Sequence, residues 1–293
     1  MQTKSKIAFI INPISGNKSN SNIPNLINTR LNHNRFNHHC FITSYAGESA
    51  QIVRKLKEQA FDYIVAVGGD GTVNEVAKEL INSDVALGII PRGSGNGLAR
   101  HLGIPMDTEQ AIAQLNKSSV QCIDSGKIND YLFWCTAGIG FDALIGFKFA
   151  NSTKRGFFTY ITESFKQFIR YKADHYTIIV NDTTHHSQAF TITFANASQY
   201  GNNAYISPTA DIADGKLDTV LIKPFPWFSS IILCMRLFTR SIHKSKYVKV
   251  LRDNRVIVHK SGKGLLHFDG EPGTWSDIVT AEILPKSLKV LTA

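Results

Sequence analysis

The chain has 293 residues, a formal net charge of +9 and a sequence pI of about 9.3. Hydrophobic residues make up 43% and charged residues 19%, a balance that supplies a core and excludes a disordered chain. The basic excess points to anionic lipid, phosphorylated substrates or nucleic acid as partners and carries no information about fold. Cys40, Cys122, Cys135 and Cys234 are scattered without a CxxC pair, as in a reduced protein rather than a disulfide framework. No apolar run reaches the roughly 18 residues that span a bilayer, and no secretory signal opens the sequence, so a cytoplasmic chain without a transmembrane segment is expected.

In chain order, the first 125 residues alternate strand and helix signals. Short apolar runs at KIAFIIN (6–12), HCFITSY (39–45), DYIVAVG (62–68) and ALGIIP (86–91) read as buried parallel strands. Helical patterns fall at 49–60, 72–82 and 108–115. In the second, Val73, Val76, Ala77, Leu80 and Ile81 share one face. NPISGNKSNSN reads as a polar loop. Beyond residue 124 two helical stretches, 141–150 and 156–171, precede β-branched and aromatic runs: YTIIV, AFTITFA, LDTVLI, YVKVLR, RVIVH and IVTAEIL. NDTTHH, ADG, RDN and SGKG separate them as turns. The expected class is α/β plus β. An α/β domain occupies 1–125, with 285–293 as candidates to complete it, and a β-rich antiparallel domain occupies 126–284.

Parallel α/β sheets bind ligands at the carboxyl ends of their strands. Three such ends are unusually small: NPISGNK (12–18), GGDGT (68–72) and PRGSGNG (91–97). Glycine lets amides approach a bulky anion, and the helix that follows adds its positive end. Three loops of this kind suggest a polyphosphate site. Asp70, a carboxylate amid glycines, suits that site if Mg²⁺ lies between it and the phosphates, or if it takes a proton from an attacking hydroxyl. Thr72 and Glu75 have capping-box spacing, which makes Glu75 a cap at the edge of the nucleotide loop and a lesser binding candidate. Neither a P-loop nor a G-x-G-x-x-G opening occurs.

GGDGTVNEV, together with NPISG, PRGSGNGLAR, GIGFDA, ADGKLD and FDGEP in that order, resembles the diacylglycerol kinase catalytic-domain family, which also holds sphingosine and ceramide kinases and bacterial lipid kinases. The resemblance spans most of the chain. It implies an NAD kinase/phosphofructokinase-like nucleotide domain, a β-rich lipid-substrate domain, an active site in the cleft, and transfer of the γ-phosphoryl of ATP, with Mg²⁺, to a lipid hydroxyl. By that resemblance Gly68, Gly69, Asp70, Gly71 and Thr72 hold the phosphates, while Asn12, Thr43 and Ser94 line the nucleotide site. FDGEP places Asp269 and Glu271 in a glycine turn; Glu271 is the first choice as proton acceptor, then Asp269, then Asp70. Asp142 is read either as a helix N-terminal acid or, by the resemblance, as a carboxylate contacting the lipid headgroup. ADGKLD is either a plain turn or the family's cation loop, with the Asp214 side chain and the Asp211 and Lys216 carbonyls as ligands. The chain has Asn96-Gly97 where many bacterial members have Asn-Asp. Diacylglycerol leads as substrate and a sphingoid base follows. Rival classes are a soluble-substrate kinase and a catalytically silent nucleotide- or lipid-binding protein.

From Arg236 to Lys263 the chain carries nine Lys or Arg against one acid, Asp253, directly after the apolar PFPWFSSIILCM (224–235). No stacking platform or zinc-finger spacing accompanies the cations, and neither His38-His39 nor His185-His186 has a metal-spaced partner. Nucleic acid is therefore not expected. A lipid substrate met at the inner membrane face is expected, with the protein peripheral there, and the chain could pair as a homodimer.

Overall fold

The computed structural model describes residues 4–16, 22–150, 168 and 171–293. The chain forms two compact units, Met1–Ile123 with Lys286–Ala293, and Asp124–Pro285.

In the first unit β1 (Ser5–Ile11), β3 (Tyr63–Gly68) and β4 (Ala86–Pro91) are near-continuous apolar runs because each is covered on both faces. Ile7 to Ile11 and Ile64 to Val67 are buried throughout. Their pairings are parallel, β4 to β3 to β1, and β2 (Phe36–Ile42) adds a parallel edge beside β1. β2 lies three residues earlier than the sequence pattern suggests. It is an edge strand with a half-exposed FNHHCFI face, so hydrophobicity marks its ends poorly. The last strand, β14 (Glu271–Thr292), brings Val290 opposite Leu87 of β4 in parallel register.

Among the described residues the helices of this unit are α1 (Ile23–Arg30), α2 (Glu48–Lys57), α3 (Asp70–Leu80), α4 (Gly97–His101) and α5 (Thr108–Leu115). α3 buries Val73, Val76, Ala77 and Leu80, while Ile81 turns out of the helix as its C-cap. Arg54 of α2 grips Glu79 of α3 through two guanidinium nitrogens at 2.9 and 2.6 Å, which holds the Glu79 carboxyl below its ordinary range. α1 and α4 carry no strong periodicity and were not expected. α5 lies where expected, and the Asp107 side chain caps it by accepting from Gln110 N.

The second unit is built on antiparallel strands. β7 (Thr136–Gly140) pairs with β10 (Thr191–Ala195) and with β13 (Arg255–Phe268). β10 continues to β11 (Leu217–Ile222) and β12 (Val248–Asp253). β13 pairs with β8 (Asp174–Val180), which forms a hairpin with β9 (Thr183–Ala189). β5 (Ser119–Ile128) meets the short β6 (Tyr131–Phe133) across a turn. Ile139, Ile178, Ile192, Phe194, Val258 and Leu266 form the centre of the core. An α/β unit followed by a β-rich one is the class the sequence implied.

Two turn expectations are corrected. NDTTHH is not a loop: only Asn181 and Asp182 turn, both at positive φ, and Thr183 onward is strand. SGKG lies within β13, where the register slips between His259 and Lys263 as a bulge. α6 (Phe141–Ala150) and α7 (Ser229–Phe238) also lie in this unit. Of the helix expected over 156–171, all but Phe168 and Tyr171 lies outside the described residues.

Candidate active site

In the first unit the three glycine loops meet where β1, β3 and β4 end. Asn12 follows β1; its Nδ2 donates to Thr72 Oγ1 at 3.2 Å and its Oδ1 accepts from Ile14 N at 3.1 Å. Arg92 N donates to Gly68 O at 2.7 Å, which joins the second and third loops. A side chain at Gly93 would put its Cβ 2.7 Å from the Gly69 Cα, so backbone-to-backbone packing requires glycine there. A Cβ at Gly95 would stand 2.7 Å from Asp70 Oδ2.

Asp70 is the latch of this arrangement. Its Oδ2 accepts from Asn96 N and its Oδ1 from Gly97 N, both at 2.8 Å. Asn96 is in the left-handed conformation, and its side chain bonds Gly93 N and Gly93 O at 3.0 and 2.7 Å. The carboxylate of one glycine loop therefore fixes the amides of the next. Each oxygen keeps further lone-pair capacity, so Asp70 fits a role as one of the few carboxylates a Mg²⁺ ion needs.

The expected capping box does not form. α3 starts at Asp70, two residues early, with extended Gly69 as N-cap and no side-chain cap. Thr72 is buried and engaged by Asn12, and Glu75 Oε1 accepts from Gly47 N at 3.0 Å instead of from its own helix start. The reason is tertiary. α2 arrives with an open amide at Gly47, and Glu75 satisfies it. Thr43 is buried at the end of β2, donating both N and Oγ1 to Ile11 O, at 2.9 and 3.4 Å. Ser94 and Gly71 are exposed.

In the second unit, Asp269 and Glu271 separate. Asp269 and Gly270 are the two turn residues, at φ +48° and +86°, of a hairpin that pairs Phe268 with Glu271. Glu271 is therefore not in the turn; it opens β14 and is exposed. The Asp269 carboxylate accepts from three successive amides, Trp134 at 2.7 Å and Cys135 and Thr136 at 2.9 Å. Its own N–H donates to Thr136 O at 2.8 Å. Asp269 thus fastens the hairpin tip to the start of β7. Asp269→Ala would leave three amides without their acceptor. Hydrogen bonds to charged groups set the expected cost at about 3 kcal/mol, read as a lower urea midpoint. An unchanged midpoint would show that the anchor is dispensable.

Asp142 stands in the first turn of α6, with Oδ1 accepting from Ala143 N at 2.8 Å. Its Oδ2 accepts from Thr193 Oγ1 at 2.9 Å and Tyr200 OH at 3.4 Å, and lies 3.2 Å from His267 Nε2. Thr193 and His267 are buried. The sequence reading missed these three partners. The only signal in the sequence was the pair of threonines, Thr191 and Thr193, alternating with apolar residues in the TITFA strand.

Asp124 was missed as well. It is fully buried, and its Oδ2 accepts from Gly215 N at 2.7 Å beneath the ADGKLD loop. In that loop Asp214 Oδ1 accepts from Lys216 N at 2.9 Å, its Oδ2 lies 3.6 Å from Arg252, and Asp211 Oδ1 accepts from Ala213 N at 3.0 Å. Among the described residues no three His, Cys, Asp or Glu side chains gather as a metal site.

Two family models account for most of the sequence. Residues 6–128 match the diacylglycerol kinase catalytic domain, and 136–292 match the YegS C-terminal NAD kinase beta sandwich-like domain. The chain belongs to the YegS-like diacylglycerol kinase family of lipid kinases. A diacylglycerol kinase of Mycobacterium tuberculosis is 27% identical over 98% of this chain and 94% of its own length. An uncharacterized protein of Synechocystis sp. is 28% identical over 85% of this chain, which spans 60% of that relative. The crystal structure of a putative diacylglycerol kinase from Bacillus anthracis superimposes with a TM-score of 0.80 at 20% identity, covering 100% of this chain and 97% of the other; at that identity the likeness speaks for fold. The resemblance carried by the GGDGT, GIGFDA and FDGEP motifs is thereby borne out at the level of the family.

Proposed function

We propose that this lipid kinase uses ATP and Mg²⁺ to phosphorylate a lipid hydroxyl, with diacylglycerol as the leading acceptor. The observation that carries the reading is the Asp70 latch, which orders the GSGNG amides against the GGDG amides at the carboxyl ends of three parallel strands. Phosphoryl transfer asks a protein mainly for positioning and charge neutralisation. The amides of Gly68 to Thr72, the positive end of α3 and the polar groups of Asn12, Thr43 and Ser94 would hold the nucleotide. Mg²⁺, held through Asp70, would neutralise phosphate charge as it develops. Glu271, exposed at the start of β14, would accept the proton of the attacking hydroxyl, and Asp269 would anchor the hairpin through three amides. The Asp211–Lys216 loop is the candidate for a separate structural cation, resting on buried Asp124.

A sphingoid base is the second reading. Asp142, surrounded by Thr193, Tyr200 and His267, is a carboxylate suited to an ammonium or hydroxyl headgroup. We place the working protein in the cytoplasm, peripheral to the inner membrane face. Among the described residues no helix is long and apolar enough to cross a membrane.

Purified protein incubated with γ-labelled ATP, Mg²⁺ and a panel of dioleoylglycerol, sphingosine, ceramide and NAD tests the assignment. Label is expected in phosphatidic acid, and its absence without Mg²⁺. Label in sphingosine phosphate would select the second reading. Nucleotide binding with no labelled product from any acceptor would overturn the kinase proposal in favour of a silent binding protein.

A further inference from the structure

α7 presents a face that the fold leaves uncovered. Leu233 and Ser229 are buried and pin the helix to the second unit. On the other side Trp227, Phe228, Ile231, Ile232, Met235 and Phe238 are 45% to 72% exposed. Positions 228, 231, 232, 235 and 238 follow the i, i+3, i+4 spacing of a single helical stripe. Contiguous apolar surface of this kind marks an interaction site.

The surrounding charge says what covers it. Between Lys223 and Arg252 the chain has seven basic residues and no acid. Lys223 precedes the helix, Arg236 and Arg240 lie at its end, and exposed Lys244, Lys246 and Lys249 follow in a 3₁₀ turn, the link after it and β12. The Arg240 guanidinium carbon lies over the Tyr205 ring, 4.2 Å from its centroid, and a guanidinium nitrogen donates to its hydroxyl, so this cation is positioned rather than loose. Trp227 and Ser230 also border a groove of about 450 Å³ whose other walls include Phe190, Pro224 and Phe225. An apolar stripe within a stretch of chain that carries cations and no acid, beside an aromatic groove, matches the boundary between acyl chains and anionic headgroups.

We propose that α7 is the membrane-docking element: its stripe enters the interface of an anionic bilayer, its basic surroundings meet the headgroups, and the aromatic groove admits an acyl chain from the surface. This deepens the lipid-kinase reading and rests on it for the substrate, but the docking itself needs no ATP.

Trp227 reports the event directly. The chain has three tryptophans, and Trp134 and Trp275 are only 1% and 6% exposed. Vesicles of phosphatidylglycerol are expected to shift the emission to the blue and brominated lipid to quench it, with loss of both signals in Trp227→Phe. Ile231→Asp with Ile232→Asp, both at exposed positions, is expected to weaken vesicle sedimentation at least tenfold. It should lower activity on vesicle diacylglycerol by a similar factor and leave activity on a monomeric short-chain diacylglycerol unchanged. Wild-type emission indifferent to anionic vesicles would overturn the proposal. So would undiminished sedimentation of the double variant, or lipid-free self-association that the double variant abolishes, which would make the face a contact between copies of the chain. Vesicle binding without phosphoryl transfer would sink the kinase reading alone. Transfer to short-chain acceptor without vesicle binding would sink the docking alone.

Discussion

Glu271→Gln is expected to lower lipid phosphorylation by roughly a hundred- to ten-thousand-fold, the range in which a positioned acid–base group contributes. Glutamine keeps the shape and the strand but cannot take a proton. Glu271 opens β14 opposite Phe268, whose ring stacks on Tyr131 at 4.5 Å, so strand pairing and ring packing hold the backbone around it. The urea midpoint and the KM for ATP should therefore match the wild type while kcat falls. The neighbouring Asp269→Asn should show the reverse emphasis, losing stability first, because its carboxylate holds Trp134, Cys135 and Thr136. Steady-state kinetics and denaturation of the two variants side by side check the division. Wild-type kcat in Glu271→Gln would remove it as proton acceptor.

Asp70→Asn is expected to reduce activity a hundred-fold or more and to blunt its dependence on Mg²⁺. Asparagine offers one acceptor oxygen where two amides, Asn96 N and Gly97 N, now each have one. Its NH₂ would then face an N–H, a donor against a donor, at a cost of about 1.5–3 kcal/mol for the lost charged hydrogen bond. The PRGSGNG loop should loosen, so that nucleotide affinity falls together with turnover. Isothermal titration with magnesium nucleotide and a Mg²⁺ titration of rate check this. A variant with unchanged nucleotide affinity and rate would show that the latch serves the fold alone. Gly97 makes Asp70 more exacting here, because that position contributes an amide to the latch and no side chain of its own.

The amino-acid sequence by itself determined the alternation of strands and helices in the first unit. β1, β3 and β4 are covered on both faces, and such strands must be apolar at nearly every position, a signal that needs no partner to be read. It also determined the three glycine loops, since a backbone approach as close as that of Gly69 to Gly93 leaves no alternative residue, and the β-rich second half, through its Asp-Gly turn and β-branched runs. Family membership followed from the order of those motifs.

The tertiary structure alone decided what the polar residues do. Asp269 meets amides 133 to 135 positions away, His267 meets Asp142 across 125, and Asp70 meets Asn96 across 26. Such pairs depend on strand register and loop docking, which hydrophobic periodicity does not encode. Glu75 has the spacing of a cap, yet the open amide of Gly47 claims it. β2 was displaced for the same reason: an edge strand half in water carries no continuous apolar mark of where pairing starts. Local chemistry fixes which groups are available, and only the folded chain brings each donor to its acceptor, because the free energy of a hydrogen bond vanishes within an ångström or two of misplacement.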